Sequence, residues 1–257
     1  MRPLFGAAVK SMHLFAGIGG AALGFQRAGF TPAVLCDIDP ACQRTLRRHW
    51  PLAYHHGDIE TLRGEHIKER INVITGGFPC QDISHARTGS GLPLGDGLDG
   101  ARSGLWFEQL RLVEELQPDY VVGENVTALR HRGLDRVLAS LDEIRYDAEW
   151  HCISAAYVGA PHHRDRIWII AYPRSKGLSG PVLEGHSLSF AARTQSAKFG
   201  DLVVSCGGWW AGHRPDLRMG DGLPPGSHRL KQLGNSCIPE IVEKIASAIM
   251  ATELLLE

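Results

Sequence analysis

The sequence has no apolar run long enough to cross a bilayer, which takes about 20 residues, and no pair of cysteines in C-x-x-C spacing. Its six cysteines, at positions 36, 42, 80, 152, 206 and 237, are scattered. Neither a zinc framework nor a disulfide framework is spelled out. An excess of charge is missing too: 27 Lys and Arg stand against 28 Asp and Glu, a formal net charge of −1. This excludes the global basic character of many nucleic-acid binders but leaves room for a local basic face. The opening stretch MRPLFGAAVKSMHLF is too short in apolar residues for a secretory signal and runs directly into a strand-turn-helix pattern. The expected setting is a reducing cytoplasm with no membrane attachment, where a cysteine stays a thiol.

What is present suits one large domain, or one domain with a small insert. The chain has 257 residues, 44% hydrophobic and 21% charged, ordinary values for a globular protein. From residue 10 to about 172, strand-like and helix-like segments alternate. SMHLFA (11–16) leads through GIGG into the helical AALGFQRAG. TPAVLCDID (31–39) reads as a strand, and PACQRTLRRHW (40–50) as a helix with proline at its first position. A short segment near YHHGDI and the strand INVIT (71–75) follow, then a glycine-rich loop (89–104). LWFEQLRLVEELQ (105–117) has helical apolar spacing, DYVVGENV (119–126) is a strand, and a helix lies around GLDRVLASLDEI. AEWHCISAAYVG and RIWIIAYP close the region as two further strands. Such alternation predicts an α/β fold with a mostly parallel sheet and helices on both faces.

After Pro173 the character changes. Residues 174–231 are rich in Gly, Ser, Pro and His, with eight Lys and Arg against four Asp and Glu. This stretch reads either as a solvated insert or as a substrate-docking surface. Regular order returns in KQLGNSCIPEIVEKIASAIMATELL (231–255), which ends in an amphipathic helix.

Candidate chemistry gathers at strand termini, chiefly the carboxyl ends, where open α/β sheets bind ligands. FAGIGG (15–20) is a glycine turn opening a helix, whose backbone can approach a ligand closely. No lysine follows it, which argues against a triphosphate cradle. Asp37 ends the next strand and can accept hydrogen bonds from a ribose diol; Asp58, after the third strand, can read an exocyclic amine. Asp39 is expected to cap the helix starting at Pro40. GGFPCQDIS (76–84) puts Cys80 on a turn just past INVIT, an odd place for a packing residue. Glu124, at the end of DYVVGENV, brings a carboxyl to the same edge. In APHHRDRIW (160–168), Arg164 and Arg166 lie two apart, on one face of the strand that follows. His162 and His163 read as part of a polar loop, and no metal site is expected.

FAGIGG, GGFPCQ, GENV, the R-D-R of HHRDRIW and LGNSCIP (233–239) occur together in an order and spacing that resembles the DNA (cytosine-5) methyltransferases, over residues 11–172 and 230–250. The resemblance implies a Rossmann-like methyltransferase fold that uses S-adenosylmethionine and releases S-adenosylhomocysteine. It implies a catalytic domain over 1–173, a short target-recognition region over 174–231, and a C-terminal segment over 232–257 whose helix returns beside the first. By the same resemblance Cys80 attacks C6 of a flipped-out cytosine, and Glu124 holds N3 and N4 of the base and protonates N3. Arg166 binds the base O2, and Arg164 lies near the thiol and the phosphate backbone. Phe15 is expected on the adenine, Gly17, Ile18 and Gly20 along the methionine moiety, Asp37 on the ribose, and Asp58 with Ile59 at the adenine edge. Leu105, Asn235 and Ser236 complete the cofactor wall, to which Ala16, Ile38 and Pro79 also belong.

Three departures from the family pattern stand out. His162 occupies a position more often glutamine, Ile38 replaces a frequent aromatic, and the insert is short, with Arg214 and Arg218 as examples of side chains that could read bases. The resemblance implies duplex DNA as substrate, a monomer, a bacterial or phage setting, and a companion restriction endonuclease or none. Two alternatives stay open: a transfer-RNA cytosine-5 methyltransferase, and a degenerate homologue that binds nucleic acid without catalysis. A generic nucleotide-binding protein with a structural Cys80 fits the Pro-Cys-Gln turn and matched ENV strand poorly.

Overall fold

Short apolar runs bounded by glycine and acidic residues become strands, and the longer periodic segments between them become helices. The computed structural model describes residues 8–79, 104–160, 164–178, 182–183 and 236–256. In chain order the main elements are β1 (Lys10–Leu14), α1 (Gly20–Arg27), β2 (Thr31–Cys36), α2 (Pro40–His49), β3 (Tyr54–His56), β4 (Val73–Gly76), α3 (Leu105–Leu116), β5 (Tyr120–Val126), α4 (Leu134–Glu143), β6 (Tyr146–Ser154), β7 (Asp165–Pro173) and α5 (Pro239–Leu256). Among the described residues no helix is long and apolar enough to cross a membrane.

The seven strands form one sheet in the order β3-β2-β1-β4-β5-β7-β6. The pairings from β3 to β5 are all parallel. Strand β7 runs antiparallel to both its neighbours, so the sheet is mostly parallel with one reversed strand. Chain order changes direction beside β1, which has β2 on one side and β4 on the other. The crevice at such a switch point, outside the carboxyl ends of the strands, is the usual ligand site of an open α/β sheet.

Side chains alternate across the sheet and build an apolar layer on each face. On one face Met12, Leu14, Ile74 and Val121 pack with Trp106 and Leu112 of α3 and Val137 of α4. On the other, Val122, Trp168 and Ile170 pack with Phe25 of α1 and Ile241 and Ile245 of α5. Burying one such side chain contributes about 1.5–3 kcal/mol. Helix α2 joins this second face, where its Leu46 meets Leu35 and Ala22.

The last helix lies against the first because α1 offers no side chain at Gly24. A Cβ there would stand 2.6 Å from Val242 Cβ and 2.7 Å from the Pro239 carbonyl oxygen. The chain therefore returns to the sheet after residue 235, and Ser236 is delivered to the carboxyl edge.

One polar row interrupts the second layer. His13 of β1 is fully buried, with Nδ1 2.8 Å from Thr75 Oγ1 and Nε2 2.9 Å from Ser11 Oγ. Burial pushes the imidazole down from 6.5 to about 3, so it stays neutral in the fold.

Two tests follow from this packing. Gly24→Ala gains helix propensity of about 1 kcal/mol, yet the forced separation of α1 from α5 is expected to leave a net destabilisation of about 1–2 kcal/mol in denaturant titration. An unchanged unfolding midpoint contradicts the close helix contact. For His13, the unfolded chain binds a proton below pH 6.5 while the folded one does not until about pH 3, so its contribution is present at neutral pH and fades as pH falls. Between pH 7 and 5 this removes about 2 kcal/mol of stability. His13→Gln lacks that component, and its stability should approach that of the wild type by this amount; parallel pH curves contradict it.

Candidate active site

Strand β1 stops at Leu14 because Phe15 turns the backbone to φ 51°, a left-handed conformation uncommon for an aromatic residue. Gly17 and Gly19 continue the turn at φ 56° and 93°. The Gly17 N–H donates to Asp37 Oδ2 at 2.7 Å, and the Asp39 N–H donates to Asp37 Oδ1 at 2.9 Å. One carboxylate at the end of β2 thus ties the glycine turn to the start of α2. Burial pushes the Asp37 carboxyl up, and the two N–H groups oppose that shift. Asp39 is the N-cap of α2, accepting from the Ala41 N–H at 2.8 Å. Asp58 does similar work, accepting from the Glu60 N–H at 2.9 Å to cap a single 3₁₀ turn, Ile59–Thr61.

These residues border a cleft of about 540 Å³, within the range of small-ligand sites. Phe15, Gly17, Asp37, Ile38, Asp58 and Ile59 line one part of it, and Cys36 lies there with its thiol pushed up to about 12 by burial and by Asp37 and Asp58. Ile38 is 73% exposed, an apolar side chain bare to solvent at the rim. The same cleft continues past Pro79 and Leu105 to Glu124, Arg164 and Arg166.

In that second part, Arg166 Nε stands 2.9 Å from Glu124 Oε1, with the side chains only 22% and 13% exposed. The pair is a product of strand direction. Glu124 ends β5, whereas Arg166 begins β7, and the antiparallel register sets Val126 opposite Arg166 and Glu124 opposite Trp168. Burial pushes the Glu124 carboxyl above the usual range, while Arg166 and Arg164 pull against that shift. A carboxyl so placed can hold a proton or pass it on. Arg164 precedes β7 instead of lying within it, but it reaches the same cleft and donates through Nη2 to the Ser236 carbonyl at 3.2 Å.

Not every expected cofactor residue lines this cleft. Ala16, Ile18, Gly20 and Ser236 are absent from its described lining. Ala16 is buried and faces a smaller cavity together with Ser236. Gly20 is covered by the Ser236 side chain and the Cys237 carbonyl, because α5 packs on the start of α1. Cys80, Asn235, His162, His163 and most of 174–231 lie outside the described residues.

Asn125 is a contributor that the sequence reading passed over. It is 2% exposed, and its Nδ2 donates to the Phe78 carbonyl at 3.1 Å. It thereby holds the backbone two residues before Cys80 against the end of β5. Phe78 also packs on Trp106 with ring centroids 5.2 Å apart. The signal was available: a buried-strand pattern ending in an amide beside an acid, GENV, requires a partner for that amide. Among the described residues no group of three or more His, Cys, Asp or Glu side chains is placed to hold a metal ion.

Comparison with known proteins gives a consistent result. The C-5 cytosine-specific DNA methylase family model matches residues 9–203. The type II methyltransferase M.AquIA of Picosynechococcus sp. is 32% identical over 192 residues, covering 67% of this chain and 75% of that protein. M.Eco47II of Escherichia coli is 32% identical over 166 residues, covering 62% of this chain and 38% of its own. M2.BsuMI of Bacillus subtilis is 29% identical over 171 residues, covering 63% and 42%. The chain therefore spans less than half the length of M.Eco47II and M2.BsuMI. Among solved structures, a putative DNA modification methyltransferase encoded within an E. coli prophage superposes with a TM-score of 0.56 at 28% identity, covering 68% of this chain and 49% of that one. The S. pombe Dnmt2 methyltransferase shares the fold, with a TM-score of 0.54 at 18% identity, covering 68% and 52%.

Proposed function

The chain belongs to the C-5 cytosine-specific DNA methylase family, and from that premise we propose that it methylates C5 of cytosine in duplex DNA with S-adenosylmethionine as donor. The observation that carries this reading is the half-buried Glu124–Arg166 pair at 2.9 Å, opening on the same cleft as the Phe15–Asp37 turn. Cytosine offers N3 and an exocyclic amine to an acid, and O2 to an arginine, so the pair complements one edge of that base.

The fit of the cofactor is supported by the first part of the cleft. Asp37 keeps acceptor capacity beyond its two backbone N–H partners, enough for a ribose diol. The exposed Ile38 and the partly buried Phe15 offer apolar surface to a purine ring, and Leu105 and Pro79 extend that wall toward the base site. When bound, S-adenosylmethionine supplies an electrophilic methyl group. The assignment of Ile18, Gly20, Asn235 and Ser236 to the cofactor wall rests on the family resemblance alone.

The chain's own residues then do the following. The Cys80 thiolate adds to C6 of the extruded cytosine while Glu124 gives a proton to N3, so the ring electrons are drawn to C5 instead of resting as charge on nitrogen. Arg166 donates to O2 and keeps Glu124 oriented. Once C5 carries the methyl group, loss of the C5 proton to a base expels the thiolate, and N3 returns its proton to Glu124. Extrusion of the base costs a few kcal/mol, for which contacts from Arg164 and from the basic stretch 174–231 are proposed. Residues 1–173 and 232–257 form the catalytic unit in this reading, and a type II restriction setting is proposed by analogy with the named relatives.

Transfer of label from S-adenosylmethionine tests the reading directly. Duplex DNA is expected to accept the methyl group and transfer RNA is not, and Cys80→Ala is expected to abolish transfer while changing cofactor affinity by less than about twofold. Labelling of transfer RNA in preference to DNA, or turnover by the Cys80→Ala protein, overturns it.

A further inference from the structure

We propose that Thr75 and His13 position Glu124 for its proton transfer through a single water molecule held in a small cavity behind the carboxyl group. The inference rests on the role given to Glu124 above and adds residues to which that role has not been extended.

The cavity has a volume of about 30 Å³ and is lined by Thr75, Glu124, Trp168, Ser236 and Cys237, among others. That is room for one water, which needs at least about 10–15 Å³ by this measure and two to four polar partners. The partners are present. Trp168 is 3% exposed, and its indole Nε1 has no hydrogen-bond partner among the described residues. An unpaired buried donor is costly, and a water in this cavity removes the cost. Thr75 brings a hydroxyl, and Glu124 brings the acceptor.

The buried row behind Thr75 gives the arrangement a polarity. His13 bridges Ser11 Oγ at 2.9 Å and Thr75 Oγ1 at 2.8 Å, and as a neutral ring it donates through one nitrogen and accepts through the other. If Ser11 donates to Nε2 and Nδ1 donates to Thr75, the Thr75 hydroxyl hydrogen is left free to point into the cavity. The reverse polarity strands the Ser11 hydroxyl hydrogen at a site that is 0% exposed, where His13 is its side-chain partner. The first arrangement aims every hydrogen of the row toward Glu124. When Glu124 passes its proton to N3, the carboxylate accepts from the water, and Thr75 with Trp168 fixes that water in place. The proton returns from N3 to Glu124 on elimination, so no proton crosses the row. These are positioning residues: neither Thr75 nor His13 meets the base.

Two measurements decide this. A high-resolution crystal structure of the full chain should show one ordered water within hydrogen-bond distance of Thr75 Oγ1 and Glu124, whether or not the protein is active. An empty cavity overturns the proposal. In single-turnover methyl transfer to duplex DNA, Thr75→Val should be slower by roughly tenfold with cofactor affinity unchanged, and Thr75→Ser should recover to within about twofold. Thr75→Val as fast as wild type also overturns it. If Thr75→Val does not fold, Trp168→Phe removes the N–H while keeping an aromatic ring and should slow transfer by a few-fold; wild-type speed there counts against the water. A wild-type chain that transfers no methyl group defeats the reading of Glu124, and the crystallographic water is settled separately.

Discussion

A carboxyl group withdrawn from water needs a compensating partner, and at the end of β5 Arg166 supplies it at 2.9 Å. Unpaired, the buried charge would be costly, and removing one member of such a pair commonly costs about 3–5 kcal/mol. The geometry depends on one reversed strand. In an all-parallel sheet only strand ends reach the carboxyl edge, but β7 runs antiparallel, so its beginning arrives there. Arg166 at a strand start and Glu124 at a strand end can then share one face of the sheet. Both face the cleft into which the glycine turn after β1 also opens.

The last segment of the chain is bound into the same arrangement. Gly24 admits α5 against α1, and this delivers Ser236 to Gly20 on one side and to the Arg164 guanidinium on the other. Cys237 sits close enough to Glu124 that the carboxyl, after burial, helps push its thiol up. The end of the irregular region is thus coupled to the acid and its arginines by packing, hydrogen bonding and charge together. M2.BsuMI and M.Eco47II are each more than twice the length that aligns with this chain. The family model, over residues 9–203, takes in all seven strands of the sheet.

Much of this was legible in the sequence. The alternation of periods gave the strands and helices nearly in place, and Glu124, Arg166, Asp37 and Phe15 were each found at a strand terminus, where an α/β sheet collects its chemistry. Strand direction was not legible: RIWIIAYP has the same apolar pattern whichever way it runs, and only the pairing with β5 fixes it. Nor did the one-dimensional pattern separate Asp58 as ligand from Asp58 as cap, since both uses put an acid after a strand. Gly20 lies under Ser236 and the Cys237 carbonyl because α5 returns over α1, a contact between residues more than 200 positions apart. His13 lies within the strand-like SMHLFA, and its row with Ser11 and Thr75 becomes visible only when β1 and β4 lie side by side.

The central claim is that Glu124, oriented by Arg166, makes C6 of cytosine open to the Cys80 thiolate by protonating the ring. The most direct measurement is the rate at which a covalent complex forms on duplex DNA carrying 5-fluorocytosine in the presence of S-adenosylmethionine, compared between wild type and Glu124→Gln. The account predicts that the glutamine protein binds cofactor normally and forms the complex at least about 100-fold more slowly, within the range expected for loss of a general acid. Equal rates of complex formation would contradict it.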